Sequence, residues 1–339
     1  MMEEEPSMYP YTGNVRGWSA RVLALLLVLV LSLAVVAGGG CGKKPSAQEP
    51  AGAGGNPGGA GGSPAGPWVT LQDWSGRQVT LSHRPERIVS FAPSNTEILF
   101  ALGAGDRVVG VTDFCNYPEE AKDKPRLGGA LNPNLEQLTA LQPDLVLCIA
   151  GMDQFLAKLQ EMGIPTFVVQ PTDLADTYRS IEVIGGLIGE KERAGEIVTQ
   201  MKDRVGEIQK KLEAVPPEKR LRVFYEVWYD PIQTVGPGSF VHDALAAAGA
   251  VNVAADAPRP FSEYSLETLV KKDPQAIITT FKESYQALQT GKRPGWEKMT
   301  AVKKGRILLM DPDIIIRPGP RLVQGMEQIA HFLYPQVIP

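Results

Sequence analysis

The chain has 339 residues, 43% of them hydrophobic and 21% charged. That is the make-up of a soluble globular protein long enough for two domains, each able to bury its own core. A net charge of −4 excludes the basic footprint of a nucleic-acid binder, three cysteines exclude a disulfide-stapled scaffold, and His83, His242 and His331 are too scattered for a metal-ligand pair.

Residues 1–41 read as an export segment. Arg16 and Arg21 precede an apolar run from Val22 to Val36, about the length of a signal core and short for a membrane span. The run ends in Ala37-Gly38-Gly39-Gly40-Cys41, which resembles a bacterial lipoprotein lipobox except that Gly38 stands where a leucine is usual. Cleavage before Cys41 and lipidation of its thiol are expected. The alternative is an uncleaved anchor helix, and both readings place the rest of the chain outside the cytoplasm, in a periplasm or at a cell surface. Residues 42–67, rich in Gly, Pro, Ala and Ser, cannot bury enough apolar surface to offset their ordering entropy and read as a tether.

From Trp68 the pattern alternates. Short apolar runs at Arg87–Phe91, Val108–Thr112, Asp144–Ala150 and Thr166–Gln170 are separated by helical segments at Ser94–Leu102, Asn134–Leu141 and Gln154–Met162. This predicts βαβ units with a mainly parallel sheet in an N-terminal lobe over 68–190. A second set over 216–339 has strands at Leu221–Trp228, Ala276–Thr280 and Arg306–Met310, with helices near Ser239–Ala248, Leu266–Lys272 and Pro320–Leu333. Between the sets, Ala194, Ile197, Val198, Met201, Val205, Ile208, Leu212 and Val215 form one stripe, and Pro216-Pro217 stops it. A helix over 191–215 would run roughly 36 Å, enough to bridge two lobes; an ordinary packing helix would show the same stripe.

One template occurs twice. Leu135-Glu136-Gln137-Leu138, then four residues, Pro143-Asp144 and Leu145-Val146-Leu147, matches Leu266-Glu267-Thr268-Leu269, then four residues, Pro274-Gln275 and Ala276-Ile277-Ile278. Helix, proline stop and buried strand recur once per lobe, which suggests two equivalent halves. Glu136 and Glu267 each open a helix, where the dipole favours a carboxylate. Their symmetry adds a second expectation, one exposed acid per lobe for a partner.

The run Arg87-Ile-Val-Ser-Phe-Ala-Pro-Ser-Asn-Thr-Glu97, the run Val109-Gly-Val-Thr-Asp-Phe-Cys-Asn-Tyr-Pro118 and the segment Asn134 to Val146 resemble the periplasmic cobalamin-binding proteins and their ferric-siderophore-binding relatives. The resemblance runs from Ile88 to Pro335 and is weaker in the C-lobe. It implies an α/β fold of two lobes with mainly parallel sheets, joined by a single long rigid α-helix, with the ligand in the cleft. It further implies a monomer that delivers its ligand to an ABC importer permease and its ATPase, and that needs no cofactor of its own. Glu136 and Glu267 fall on the two family glutamates that dock onto permease arginines.

The ligand expected from the resemblance is a corrinoid, with a ferric siderophore or haem as the alternative. Flat ligands need aromatic faces and a few orienting polar groups. Phe114 and Phe261 resemble aromatic positions on opposite lobes, a candidate sandwich. Trp228 and Tyr229 end the first C-lobe strand, at the edge where open α/β sheets bind ligands. Arg317 resembles a polar position at the cleft mouth, able to grip an amide or carboxylate. Ser94 and Asn95 open a helix as N-cap residues whose amides would face the cleft. Ala130 and Ile149 stand where the cobalamin binders carry aromatics, so either a wider pocket or a ligand other than cobalamin itself is expected. Cys115 reads as a small loop hydrophobe beside Phe114, and Cys148 as a buried strand residue.

An enzyme on the same fold is the competing class. The sequence has no G-x-S-x-G elbow, Walker A loop or HExxH. Gly103-Ala104-Gly105 falls short of a dinucleotide fingerprint, since Val108 stands where the third glycine belongs and a helix precedes it.

Overall fold

The computed structural model describes residues 66–130 and 132–339. The export segment, Cys41 and nearly all of the tether lie outside the described residues. No described helix is long and apolar enough to cross a membrane.

An antiparallel hairpin, β1 (Val69–Gln72) and β2 (Gln78–Leu81), leads into the N-lobe. There β3 (Ile88–Ser90), α1 (Pro93–Ala101), β4 (Val108–Val111), α2 (Leu135–Ala140), β5 (Leu145–Cys148), α3 (Asp153–Glu161), β6 (Thr166–Val168) and α4 (Leu174–Ile188) follow in order. The helix α5 (Lys191–Leu212) then leads into β7 (Arg222–Tyr229), β8 (Ile232–Val235), α6 (Phe240–Ala247), β9 (Val251–Asn252), β10 (Phe261–Glu263), α7 (Leu266–Lys272) and β11 (Ala276–Thr279). The C-lobe ends with α8 (Lys282–Gln289), α9 (Thr300–Lys303), β12 (Ile307–Leu309), α10 (Pro312–Ile315) and α11 (Leu322–Leu333).

The N-lobe sheet is parallel throughout, in the order β4-β3-β5-β6. The C-lobe sheet has a parallel part in which β9 and β11 flank β7 and β12 follows β11. The antiparallel strand β8 pairs with the second half of β7, and β10 adds to β8 at the sheet edge. Each lobe is thus an α/β layer structure, as the alternation of short apolar runs and helical segments implies.

The strands β3, β5, β6 and β11 are buried on both faces, and the pleat sends successive residues to opposite sides. Ile88, Leu145 and Leu147 face one cluster while Val89, Val146 and Cys148 face another. In the C-lobe, Val223, Tyr225, Ala276 and Ile278 share the first cluster, and Phe224 and Ile277 face a third. The expectation of one separate core per lobe is therefore corrected. Each lobe has a private cluster on its outer face, but the inner faces merge into a single core. What merges them is α5, whose buried stripe of Ala194, Ile197, Val198, Met201, Val205, Ile208 and Leu212 lies wholly within that shared core, beside residues of α4, α6 and α11.

The sequence repeat continues into the backbone. The only non-glycine residues with left-handed φ among the described residues are Gln142 (46°) and Asp273 (43°). They occupy the same template position, immediately before Pro143 and Pro274. A residue before proline is disfavoured from the helical region, and a left-handed residue closes a helix, so both conditions meet at one spot. The next residue then ties the turn to the neighbouring strand. Asp144 accepts the Arg87 N–H at 2.9 Å and returns its own N–H to the Arg87 carbonyl at 3.0 Å. Gln275 makes the same pair with Arg222, at 3.0 and 2.8 Å.

Asp73 fixes the β1–β2 hairpin to the N-lobe. Its carboxylate accepts from Ser75, from the Arg77 backbone and guanidinium, and from the Val168 N–H. Burial pushes this carboxyl up, but the hydrogen bonds outweigh burial and hold it below the ordinary aspartate value of 3.8. A depressed folded-state pKa stabilises above the unfolded value and is lost as pH falls through the folded one. Asp73→Ala is therefore expected to cost about 2 kcal/mol at neutral pH by denaturant titration, and the difference from the parent should shrink only below pH 3.8.

Candidate functional site

In both lobes the carboxyl ends of the parallel strands form one edge, and the first strand of the sheet, β3 or β7, has later strands on both of its sides. Such switch points are where open α/β sheets bind ligands.

On the C-lobe edge, β7 ends in Trp228 and Tyr229, and Phe281 lies just past the end of β11. The three rings form one cluster. Trp228 and Phe281 meet edge-to-face with centroids 5.1 Å apart, Trp228 and Tyr229 are 5.2 Å apart, and Tyr229 and Phe281 are 5.7 Å apart. Tyr229 is 48% exposed, so the cluster keeps a free aromatic face. Phe281 did not emerge from the sequence. Its signal is positional, since it follows the apolar run Ala276–Thr279 much as Phe114 follows Val108–Val111.

A buried charge network lies under the cluster. Glu226 of β7 is fully buried, and it accepts hydrogen bonds from Thr279 at 2.6 Å, from Ser284 at 2.5 Å and from the Arg293 guanidinium. Arg293 also donates to the Tyr229 carbonyl at 2.9 Å and stacks over Trp296. The exposed tyrosine is thus held at its backbone by a cation that a buried carboxylate neutralises.

On the N-lobe edge, Phe114 is 36% exposed, and its ring lies beside Gly129. Arginines hold the carbonyls of its loop. Arg126 donates to Thr112 and Cys115, both at 2.8 Å, and Arg317 donates to Phe114 itself at 3.3 Å. Cys115 is fully buried between the hydroxyls of Thr96 and Thr112, which excludes it from ligand contact. Cys148 is buried in β5, where loss of solvation raises its thiol pKa to about 12. Both cysteines are free thiols.

Two sequence expectations are corrected. Ser94 and Asn95 are not N-caps: Pro93, whose ring presets the helical φ, takes the first helical position and Ala92 is the cap, so both lie within the first turn. Ser94 is half-buried, and Asn95 is 1% exposed with its amide nitrogen unpaired. Arg317 is not a free grip at the cleft mouth. It is 5% exposed and its guanidinium is committed to Glu97, Asp313 and Asn116. Phe261 sits in β10 opposite the buried Val235, half-buried and packed against the shared core. Ala130 and Ile149 are half-buried against the private N-lobe cluster.

Glu136 and Glu267 lie in the first turns of α2 and α7, both exposed. Asn134 and Ser265 cap these helices, and the inward Leu138 and Leu269 are fully buried. Glu267 pairs with Lys271 at 2.7 Å, an exposed i,i+4 contact of little energetic weight.

A cavity of about 810 Å³ lies along α5, lined by Phe100, Tyr117, Met201 and Arg204 among others. None of Phe114, Trp228, Tyr229 or Phe281 lines it, so it is separate from the aromatic edges. Among the described residues no group of His, Cys, Asp and Glu could hold a metal ion.

Residues 88–314 match the periplasmic binding protein family. The chain is 38% identical over 273 residues to the uncharacterized ABC transporter substrate-binding lipoprotein YvrC of Bacillus subtilis, covering 79% of this chain and 86% of that protein. It is 28% identical over 252 residues to the vitamin B12-binding protein of Vibrio cholerae, covering 73% and 89%. Its fold matches the crystal structure of a possible iron-binding, periplasmic solute-binding protein of Staphylococcus epidermidis with a TM-score of 0.66 at 33% identity, over 74% of this chain and all of that one.

Arg293→Met is expected to cost about 3 kcal/mol in a denaturant titration, because it leaves Glu226 buried without its cation. The double variant Glu226→Leu with Arg293→Met should recover at least half of that loss.

Proposed function

The chain belongs to the periplasmic binding protein family, and from that premise we propose that it is the capture subunit of an ABC importer, taking a corrinoid between its lobes. The observation that carries this reading is the cluster of Trp228, Tyr229 and Phe281 at the edge of the C-lobe sheet, whose Tyr229 is exposed while the other two rings are half-buried, with Phe114 exposed on the corresponding N-lobe edge. Aromatic faces with few unpaired charges suit a flat, largely neutral macrocycle better than a small ion. Phe261, half-exposed, contributes to the wall rather than to the sandwich. The vitamin B12-binding relative supports the corrinoid. The possible iron-binding relative supports a ferric chelate as the second reading.

In this proposal the ligand is cargo and not a cofactor, and the protein is a receptor and not an enzyme. Cys41 carries the lipid, and residues 42–67 let the lobes work near the membrane while anchored to it; the lipoprotein relative supports the anchor. Glu136 and Glu267 meet the permease, one from each lobe. Their exposure and their matching helix-start positions support this. Charge pairs of that kind set register and on-rate more than affinity.

Titration of the full chain in detergent with cyanocobalamin, followed by calorimetry, tests the ligand. One-to-one saturation with a sub-micromolar Kd, weakened about tenfold by Phe114→Ala or Tyr229→Ala, is expected. Absence of heat and of saturation contradicts the corrinoid and moves the ligand to ferric siderophores or haem, screened in the same way. Glu136→Ala and Glu267→Ala should each lower uptake into cells about tenfold or more while changing the Kd by less than about twofold. An equal loss of ligand binding would remove the docking assignment.

A further inference from the structure

Glu97, Arg317 and Arg321 bring the lobes together at one point. Glu97 belongs to α1, and only 2% of its side chain is exposed. Both arginines that neutralise it come from the C-lobe segment between α10 and α11. Arg317 donates to Glu97 at 2.9 Å, and Arg321 binds both oxygens of Glu97 at 2.8 and 2.6 Å. Arg317 then reaches past Glu97 into the loop that carries Phe114, donating to the Asn116 side chain at 2.8 Å and to the Phe114 carbonyl at 3.3 Å. Asn116 closes the ring by donating to Asp313, which pairs with Arg317 at 2.6 Å. Arg321 stacks over Tyr117, the next residue of the loop, at 3.9 Å.

We propose that Arg317 is a positioning residue for the ligand-facing aromatic Phe114, holding it from the opposite lobe so that ring placement and lobe spacing are set by the same guanidinium. The proposal rests on the reading that Phe114 faces the cargo. Three features favour a positioning role over a purely structural one. A buried ion pair of Glu97 with Arg321 alone would already be bidentate, so neutralising Glu97 does not require Arg317. The contacts of Arg317 beyond Glu97 and Asp313 fall on residues 114 and 116 of the aromatic loop. Finally, the C-lobe repeats the device within itself, where Arg293, neutralised by the buried Glu226, holds the Tyr229 carbonyl.

Lysine keeps the charge but has no fork with which to reach Glu97, Asn116 and the Phe114 carbonyl together. Backbone amide exchange of the ligand-free full chain in detergent, compared between parent and Arg317→Lys, reads the effect. Exchange at residues 113–117 is expected to accelerate about tenfold, while β5 and β11 change less than about twofold. Unchanged exchange at 113–117 overturns the proposal. Equal acceleration across both lobes also overturns it, because it assigns Arg317 to general stability. A second measurement is the dissociation rate of cyanocobalamin, which should rise in Arg317→Lys with little change in the association rate. If the parent does not bind cyanocobalamin, the ligand reading fails while the exchange experiment still decides the positioning role.

Discussion

A carboxylate withdrawn from water needs cationic partners, and the partners of Glu97 lie on the other lobe. This one constraint gives the two halves a defined relation at the point where the Phe114 loop begins. Burying charge is costly unless each ion is paired and hydrogen-bonded. Here Glu97 is met by two guanidinium groups and Arg317 by two carboxylates. Buried networks of this kind are often no more stabilising than an apolar substitute, and what this one fixes is the place of the segment between α10 and α11 against α1. The shared core does the complementary work. Because α5 contributes one apolar stripe to a cluster made from both lobes, separating the lobes would expose that stripe to water.

The two halves divide along the same lines. Each outer sheet face is packed within its own lobe, each inner face is packed in common, and each carboxyl edge is left with aromatic rings. The repeat of turn and strand at Gln142 and Asp273 makes the two helix-start glutamates equivalent in local structure as well as in sequence. In the proposed function these matched glutamates are the two permease contacts and the aromatic edges are the cargo surface.

Much of this is legible in the sequence because it depends on local periodicity. Runs such as Leu145–Cys148 and Ala276-Ile277-Ile278 are apolar without alternation, as strands covered on both faces must be, and the α5 stripe has helical spacing over its whole length. The repeat around Glu136 and Glu267 is visible because helix start, proline stop and strand lie within a few residues. What stays hidden depends on distant pairing. Arg317 and Glu97 are 220 positions apart, and nothing near Arg317 distinguishes a lobe-bridging cation from a ligand grip. The merged core is equally invisible, since period-2 strands assign residues to faces without saying what covers each face. Ser94 and Asn95 look like caps in sequence because a good capping residue beside proline competes with proline's own preference for the first helical turn.

The central claim is that the lobes are held in one arrangement and that the cargo meets surfaces already in place. The most direct test is the distance between nitroxide labels on Lys158→Cys in α3 and Gln286→Cys in α8, both exposed positions, in the full chain with Cys41→Ser. The buried Cys115 and Cys148 would remain unlabelled. The account predicts a single narrow distance population in the ligand-free protein that stays single and narrow when cyanocobalamin is added. A broad or two-peaked distribution without ligand, collapsing to one peak on addition, would contradict it.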